Sequence, residues 1–422
     1  MNKVLVIAYY FPPLGLSGVQ RTTKFVKYLQ DFGWEPTVLT VGEIAYYAKD
    51  VSLLHDLEKR KIRIIRTSSF DANALMKKRD IVGIPSEKIR KTLSRISDTL
   101  FIPDSKIGWY KKAIKAGSEI LEKEKFDLIF STAPPYTDFL IGNALKKKFN
   151  IPHVMDYRDA WTDNLYKYFP TRLHKYINYR LEKNVLHKSN SIVTAGRRVK
   201  ELLLQRYDFL NFHDINLISQ GFDQEDFDAI ENKNLPTTQK MRITYSGIFY
   251  EDISPENIIK AFSHVLKYYP KLRDKIELCF IGVLQNEYRK MIEKYNIKNH
   301  VLILGYLEHH ECLRYVLASD VLWIMMNDDR TSPGKIFEYI GARKKILGIM
   351  PEGNMRNIIL EANGVCVHQS DVQEIANTIV KLYSLFVRKE LSGASNEVVK
   401  KYERKNLTFE LSKVFAKHLE II

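Results

Sequence analysis

Two short loops in this 422-residue chain carry residue types that bind an anion without a metal. The first, YYFPPLGLSGVQR (9–21), leaves an apolar run, passes a Pro-Pro pair and two glycines, and opens a helical pattern near Gly18. Glycine lets backbone approach a ligand closely, and a helix start offers unpaired N–H groups and about half a positive charge. The spacing is not GxGxxG, so a plain strand-to-helix turn is the competing reading. The second loop, RTSPGKIFEY (330–339), follows a buried-strand pattern. Pro333 suits a first helical turn, Ser332 is expected to cap it, and Lys335 lies beside the unpaired N–H groups. Glu338, one turn on, can accept hydrogen bonds from a polyol such as ribose while Lys335 and the backbone at Gly334 hold phosphate. A local Lys335–Glu338 ion pair is the simpler alternative.

Alternating short apolar runs and helix-period segments must position these loops, a pattern of parallel sheets covered by crossover helices. Strands are expected at 3–10, 36–41, 62–67, 127–132, 152–157, 191–195 and 215–220, with helices at 18–32, 107–124, 135–149, 171–189 and 196–206. Residues 221–240 are acidic and polar and read as a linker. The strand pattern restarts at 241–247, 276–282, 300–306, 320–326 and 345–350. The expected division is an α/β domain over 1–220, a linker over 221–240, a second α/β domain over 241–400 and a terminal segment over 401–422. Two such domains are expected to leave a cleft at the carboxyl ends of their strands. In the terminal segment Leu407, Leu411, Val414, Phe415 and Leu419 fall at helical spacing and need an apolar surface.

Composition removes several classes of function. Hydrophobic residues make up 45% and charged residues 27%, which excludes a disordered chain. Cys279, Cys312 and Cys366 form no CxxC or Cys/His cluster, and the eleven histidines show no HExxH. His309 and His310 are expected to cap the helix that follows. There is no GxSxG elbow, and Trp34, Trp109, Trp161 and Trp323 have no RNA-binding motif around them, so they read as core. The apolar run Val4 to Phe11 is too short to span a bilayer. The net charge of +15 is uneven: residues 1–220 hold 37 Lys and Arg against 23 Asp and Glu. Such a surplus points to an anionic partner such as nucleic acid, an acidic membrane surface or an acidic substrate, a merely Lys-rich composition being the alternative.

Seven segments in order, YYFPPLGLSGVQR, FSTAPPYTDFLIG (130–142), IPHVMDYRDAW (151–161), RLEKNVLHKSNSIVTAG (180–196), ISQGFDQEDF (218–227), ITYSGIFY (243–250) and GKIFEYIGARKKIL (334–347), resemble the GT4-like superfamily of GT-B glycosyltransferases. The resemblance implies an α/β GT-B fold of two Rossmann-like domains facing a cleft, with the last helix returning to the first domain. It also implies transfer of a hexose-type sugar from a nucleotide-diphosphate sugar with retention, no cofactor and no metal. By the same resemblance Gly18, Asp159 and Arg158 are the catalytic set, Gly18 approaching the donor diphosphate and the reacting sugar, Asp159 an active-site carboxylate near that sugar, with Arg158 and Asp156 beside it. Arg21 and Asp156 fall on the acceptor side. Gly247, Arg330, Ser332, Gly334, Lys335 and Glu338 form the donor side, Glu338 holding the ribose. Three departures stand out. Arg330 replaces the first glutamate of the family's E-x7-E element, Ile248, Phe249 and Tyr250 follow Gly247 where relatives carry Arg and Lys, and Arg158 replaces a common histidine. An epimerase on the same fold and a non-catalytic nucleotide-sugar scaffold remain open alternatives.

Between Met76 and Lys125, basic residues Lys77, Lys78, Arg79, Lys88, Arg90, Lys91 and Arg95 interleave with Ile81, Val82, Ile84, Ile89, Leu93 and Ile96. This amphipathic stretch can lie on anionic headgroups, or form a solvated Lys-rich face. With a lipid-linked saccharide acceptor, as the resemblance suggests for surface polysaccharide synthesis, the expected location is cytoplasmic, peripheral on the inner membrane face, without a nucleic-acid partner.

Overall fold

The computed structural model describes residues 1–15, 17–44, 49–71, 87–164, 167–230, 234–249, 253–329 and 332–419, apart from the side chains of 17 and 87–90. It divides into two compact units, Met1–Gln220 with Arg404–Ile422, and Gly221–Glu403.

The first unit is built on β1 (Asn2–Ile7), β2 (Trp34–Val41), β3 (Arg63–Thr67), β4 (Leu128–Ala133), β5 (His153–Tyr157), β6 (Ser191–Thr194) and β7 (Ile215–Leu217). They form one parallel sheet in the order β3-β2-β1-β4-β5-β6-β7, so the order reverses at β1 and β4. In an open α/β sheet ligands favour the loops at that reversal. Four of its helices matter below: α1 (Ser17–Leu29), α2 (Glu87–Leu100), α3 (Thr137–Phe149) and α4 (Arg172–Lys188). The run after α1 tightens into a 3-10 turn and stops at Gly33, whose φ of 81° is the left-handed value a glycine adopts without strain.

The second unit carries β8 (Met241–Ser246), β9 (Ile276–Ile281), β10 (Val301–Gly305), β11 (Val321–Met325), β12 (Lys345–Ile349) and β13 (Val365–Val367), parallel and ordered β10-β9-β8-β11-β12-β13. All five residues of β11 are buried, which explains its unbroken apolar run. β13 was not expected, because a three-residue apolar run gives too little pattern to read. Within this unit lie α5 (Gln224–Asp228), α6 (His309–Leu317) and α7 (Lys335–Gly341).

The described residues of 221–240 are not a free linker but part of the second unit. Asp223 caps α5 through the Glu225 amide, and Phe222, Phe227 and Ile230 enter the core of the second unit. Their spacing of five and three residues amid acidic neighbours hid that burial in the sequence.

The last helix, α8 (Arg404–Ala416), returns to the first unit. Leu407, Leu411, Val414 and Phe415 join a core with Val4, Val6, Phe25 and Trp34. The Phe415 ring lies 5.2 Å from Trp34 and 5.3 Å from Phe130. Burying each such side chain contributes roughly 1.5–3 kcal/mol, which is what draws the chain end back. No helix among the described residues is long and apolar enough to cross a membrane.

Candidate functional site

In the first unit the chemistry gathers where β5 ends. Asp156, its fourth residue, is wholly buried and receives the guanidinium of Arg21 from α1, at 2.8 Å to Nη2 and 3.1 Å to Nε. Arg21 also donates to the carbonyls of Ser219 and Ile218, and Thr132 donates to Asp156 at 2.9 Å. The expectation that Arg21 and Asp156 contact an acceptor is therefore corrected. Both are sealed inside the unit, and their polar atoms are used in tying α1, β4, β5 and the exit of β7 together.

Arg158, just past β5, is similarly committed. Its guanidinium donates to the backbone carbonyls of Gly18, Ala133 and Pro134, and it is 7% exposed. A Cβ on Gly18 would stand 2.9 Å from Arg158 Nη1, so glycine leaves room for this strut at the start of α1. This corrects the expectation of a reacting Arg158: it shapes the loops around its neighbour. Asp159 is different. It is partly exposed, and among the described residues its carboxylate accepts no hydrogen bond. Burial holds its carboxyl above the usual carboxylate range, opposed by Arg158 and reinforced by Asp156.

The loop beyond Asp159 is held by Trp161, expected in the core, and by Thr162, Asn178 and Glu182, which no motif marked. Trp161 stacks on Tyr136 at 4.7 Å and donates to Asn178 at 2.9 Å, while Thr162 donates to the buried Glu182. Asn178 and Glu182 lie four residues apart on α4, together with Val185 and Leu186 on its buried face. Two polar residues at that spacing on an apolar face were the available signal.

In the second unit a cation sits at the end of β8. The backbone of Gly247 takes φ 136°, and a Cβ there would fall 1.9 Å from Lys335 Nζ. Lys335 also donates to Tyr245 Oη at 3.0 Å, its ammonium 4.3 Å from the centre of the Tyr245 ring. Tyr339 fastens α7 to β8 by accepting from the Ser246 amide at 2.9 Å. Glu338 faces His309 Nε2 at 3.3 Å. His309 was expected to cap a helix; it is instead the first residue of α6, turned toward Glu338.

Phe249, where relatives were expected to carry a cation, is buried and stacks on Tyr245 at 4.3 Å. The aromatic stack beneath Lys335 thus occupies a place that charge was expected to fill. Ser332 does not cap α7. Gly334 precedes that helix without a side-chain cap, and the Ser332 hydroxyl is buried with no hydrogen-bond partner among the described residues. Arg330 lies outside the described residues.

Two family models match the chain in succession: Glycosyltransferase Family 4 over residues 17–226, and Glycosyl transferases group 1 over 226–396. No match is found among curated proteins by sequence. Among solved structures, sucrose-phosphate synthase from Thermosynechococcus elongatus is similar at a TM-score of 0.67 and 14% identity, covering 100% of both chains. Anabaena HepE in complex with UDP and glucose is similar at 0.66 and 12%, covering 99% of this chain and 100% of its own. A Listeria monocytogenes protein assigned as a UDP-N-acetylglucosamine 2-epimerase is similar at 0.57 and 13%, with coverage of 100% and 97%. At such identities the likeness concerns the fold.

Proposed function

The chain belongs to the group 1 and family 4 glycosyltransferases of GT-B fold, and from that premise we propose that it is a retaining enzyme moving a hexose from a nucleotide-diphosphate sugar to a lipid-linked saccharide in surface polysaccharide synthesis. Lys335 over the bare backbone of Gly247 carries this reading. A departing nucleoside diphosphate needs positive charge on its phosphate oxygens, and this ammonium is anchored by Tyr245 beside the backbone at the end of β8. Glu338, three residues on, accepts the ribose hydroxyls. In the first unit Asp159 stabilises the oxocarbenium-like sugar as the bond from its anomeric carbon to phosphate breaks and the bond to the acceptor oxygen forms. No metal is assigned a role, so turnover is expected to survive a chelator.

The membrane part of the proposal rests on α2. Leu93, Ile96 and Leu100 share one face and are 54%, 52% and 68% exposed, while Lys91 and Arg95 fall on the opposite side of the helix. An exposed apolar face on a helix with net basic charge suits an anionic bilayer, each cation contributing about 1 kcal/mol near the surface. Lys77, Lys78, Arg79, Ile81, Val82 and Ile84 lie outside the described residues. Sedimentation with phosphatidylglycerol vesicles at low salt tests this part, and absence of binding removes it.

The function itself is tested by a thermal-shift screen against UDP-, GDP-, dTDP- and ADP-sugars, followed by product analysis with and without a saccharide acceptor. Transfer only with acceptor supports the proposal. Conversion of donor alone to an epimer would replace it with the epimerase reading, and binding without turnover with that of a scaffold.

A further inference from the structure

The loop that follows β5 is fixed at nearly every residue. Arg158 is pinned through three carbonyls, and the Ala160 carbonyl accepts from Tyr136 Oη. Trp161 is buried between Tyr136 and Asn178, and Asp163 receives Arg206. Thr162 offers both its amide, at 3.3 Å, and its hydroxyl to Glu182 Oε2. Of these six residues Asp159 alone, among the described residues, has a carboxylate free of hydrogen bonds. A loop tied down on both sides of one open carboxylate is preorganised to present that group.

Glu182 is the unexpected tie. A carboxylate that is 1% exposed is costly to bury, and an amide or an apolar side chain would hold a loop at less cost. A charged acceptor does make stronger bonds to N–H and O–H donors than a neutral one. We propose that Glu182 is a positioning residue for Asp159, its carboxylate fixing Thr162 from beneath so that the loop holds Asp159 in its working place. The inference rests on the reading of Asp159 given above.

The groups facing Glu182 come from several elements. Tyr207 donates to it at 3.0 Å from beyond the helix Arg197–Arg206, Tyr157 lies on β5 and Tyr136 ahead of α3. Asp163, paired with Arg206, and Lys167 complete the set among the described residues. Burial pushes the Glu182 carboxyl up to about 7, against the pull of Thr162 and Tyr207, with Asp163 adding to the rise. Protonation near neutral pH weakens the charge-assisted bonds to Thr162. Because the folded-state value is raised, protonation also stabilises the fold, and that stability is lost as pH rises toward 7. Stability and turnover therefore respond to this proton with opposite sign, which a purely structural residue would not do.

The test compares the full-length wild type with Glu182→Gln, Thr162→Val and Asp159→Asn between pH 5.5 and 9. It follows nucleoside diphosphate release from whichever of UDP-, GDP-, dTDP- and ADP-glucose is turned over, and hydrogen exchange of the peptide holding the Thr162 amide. In the wild type, kcat is expected to be about tenfold lower at pH 6 than at pH 8, with Thr162 exchange rising in parallel after correction for the intrinsic rate. Glu182→Gln should abolish both dependences, lower kcat about tenfold at pH 8, leave donor KM unchanged and raise the melting temperature at pH 8. Thr162→Val should lower kcat alike, and it decides the matter if the glutamine variant does not fold. Wild-type kcat and an unchanged exchange profile in the variants at 182 and 162 would overturn the inference. If Asp159→Asn keeps full turnover, the reading of Asp159 fails instead; exchange at Thr162 still reports whether Glu182 holds the loop.

Discussion

The ammonium of Lys335 stands 1.9 Å from where a Cβ on Gly247 would be, so the two positions, 88 residues apart in sequence, share one volume. Gly247→Ala must displace that cation and also hold alanine at φ 136°. A destabilisation of about 1–3 kcal/mol by urea titration is expected. A larger loss of affinity for the nucleotide should accompany it in calorimetry, and retention of both would mean that Lys335 moves aside at no cost.

Lys335→Met keeps the length of the side chain and removes its charge. Nucleotide-diphosphate binding should weaken by about 1.5–3 kcal/mol, whereas binding of the bare nucleoside should hardly change. Lys335→Arg is not expected to restore it, since a planar fork cannot take the ammonium's seat against the Tyr245 hydroxyl.

Glu338→Ala should weaken binding of a ribonucleotide by about 1.5–3 kcal/mol. The same substitution should cost little with the 2′,3′-dideoxy analogue. Equal losses with both ligands would place the ribose away from Glu338.

Asp159→Asn is expected to lower kcat by at least a hundredfold on the scale of a lost transition-state charge partner, with nucleotide affinity intact. Burial raises the folded-state pKa of Asp159, so its contribution to stability is full below the unfolded value and is lost as pH rises through the folded one. The asparagine variant should therefore melt at a higher temperature than the wild type at neutral pH, while turning over more slowly. A lower melting temperature would show that the charge is stabilised in the fold after all.

Arg21 and Asp156 form the opposite kind of site. Neither is exposed, and removing one leaves a buried charge, so Asp156→Asn or Arg21→Met should destabilise the first unit by about 3–5 kcal/mol in urea. The double variant Arg21→Met with Asp156→Leu should recover part of that loss. If the single variants fold normally and lose only acceptor affinity, the buried-pair interpretation is wrong.

Much of this was legible in the residues alone. Twelve of the thirteen strands among the described residues fall on the expected runs, most clearly those covered on both faces, such as β11, which must be apolar throughout. The periodicity of Leu407, Leu411, Val414 and Phe415 required an apolar surface, which the first unit supplies. Residues 221–240 misled because their few apolar side chains are spaced irregularly around one short helix.

By itself the sequence determined which segments are strands or helices and which loops carry chemically suited side chains. Those are local properties, set by the alternation of apolar and polar residues and by glycine and proline. Only the tertiary structure decided who partners whom: Arg21 with Asp156 across 135 residues, Lys335 with Tyr245 across 90, Thr162 with Glu182 on a helix further along. A periodic pattern says that a face is buried, but the identity of the group opposite depends on how distant segments pack. That is why two residues expected to meet a ligand, Arg21 and Asp156, meet each other instead.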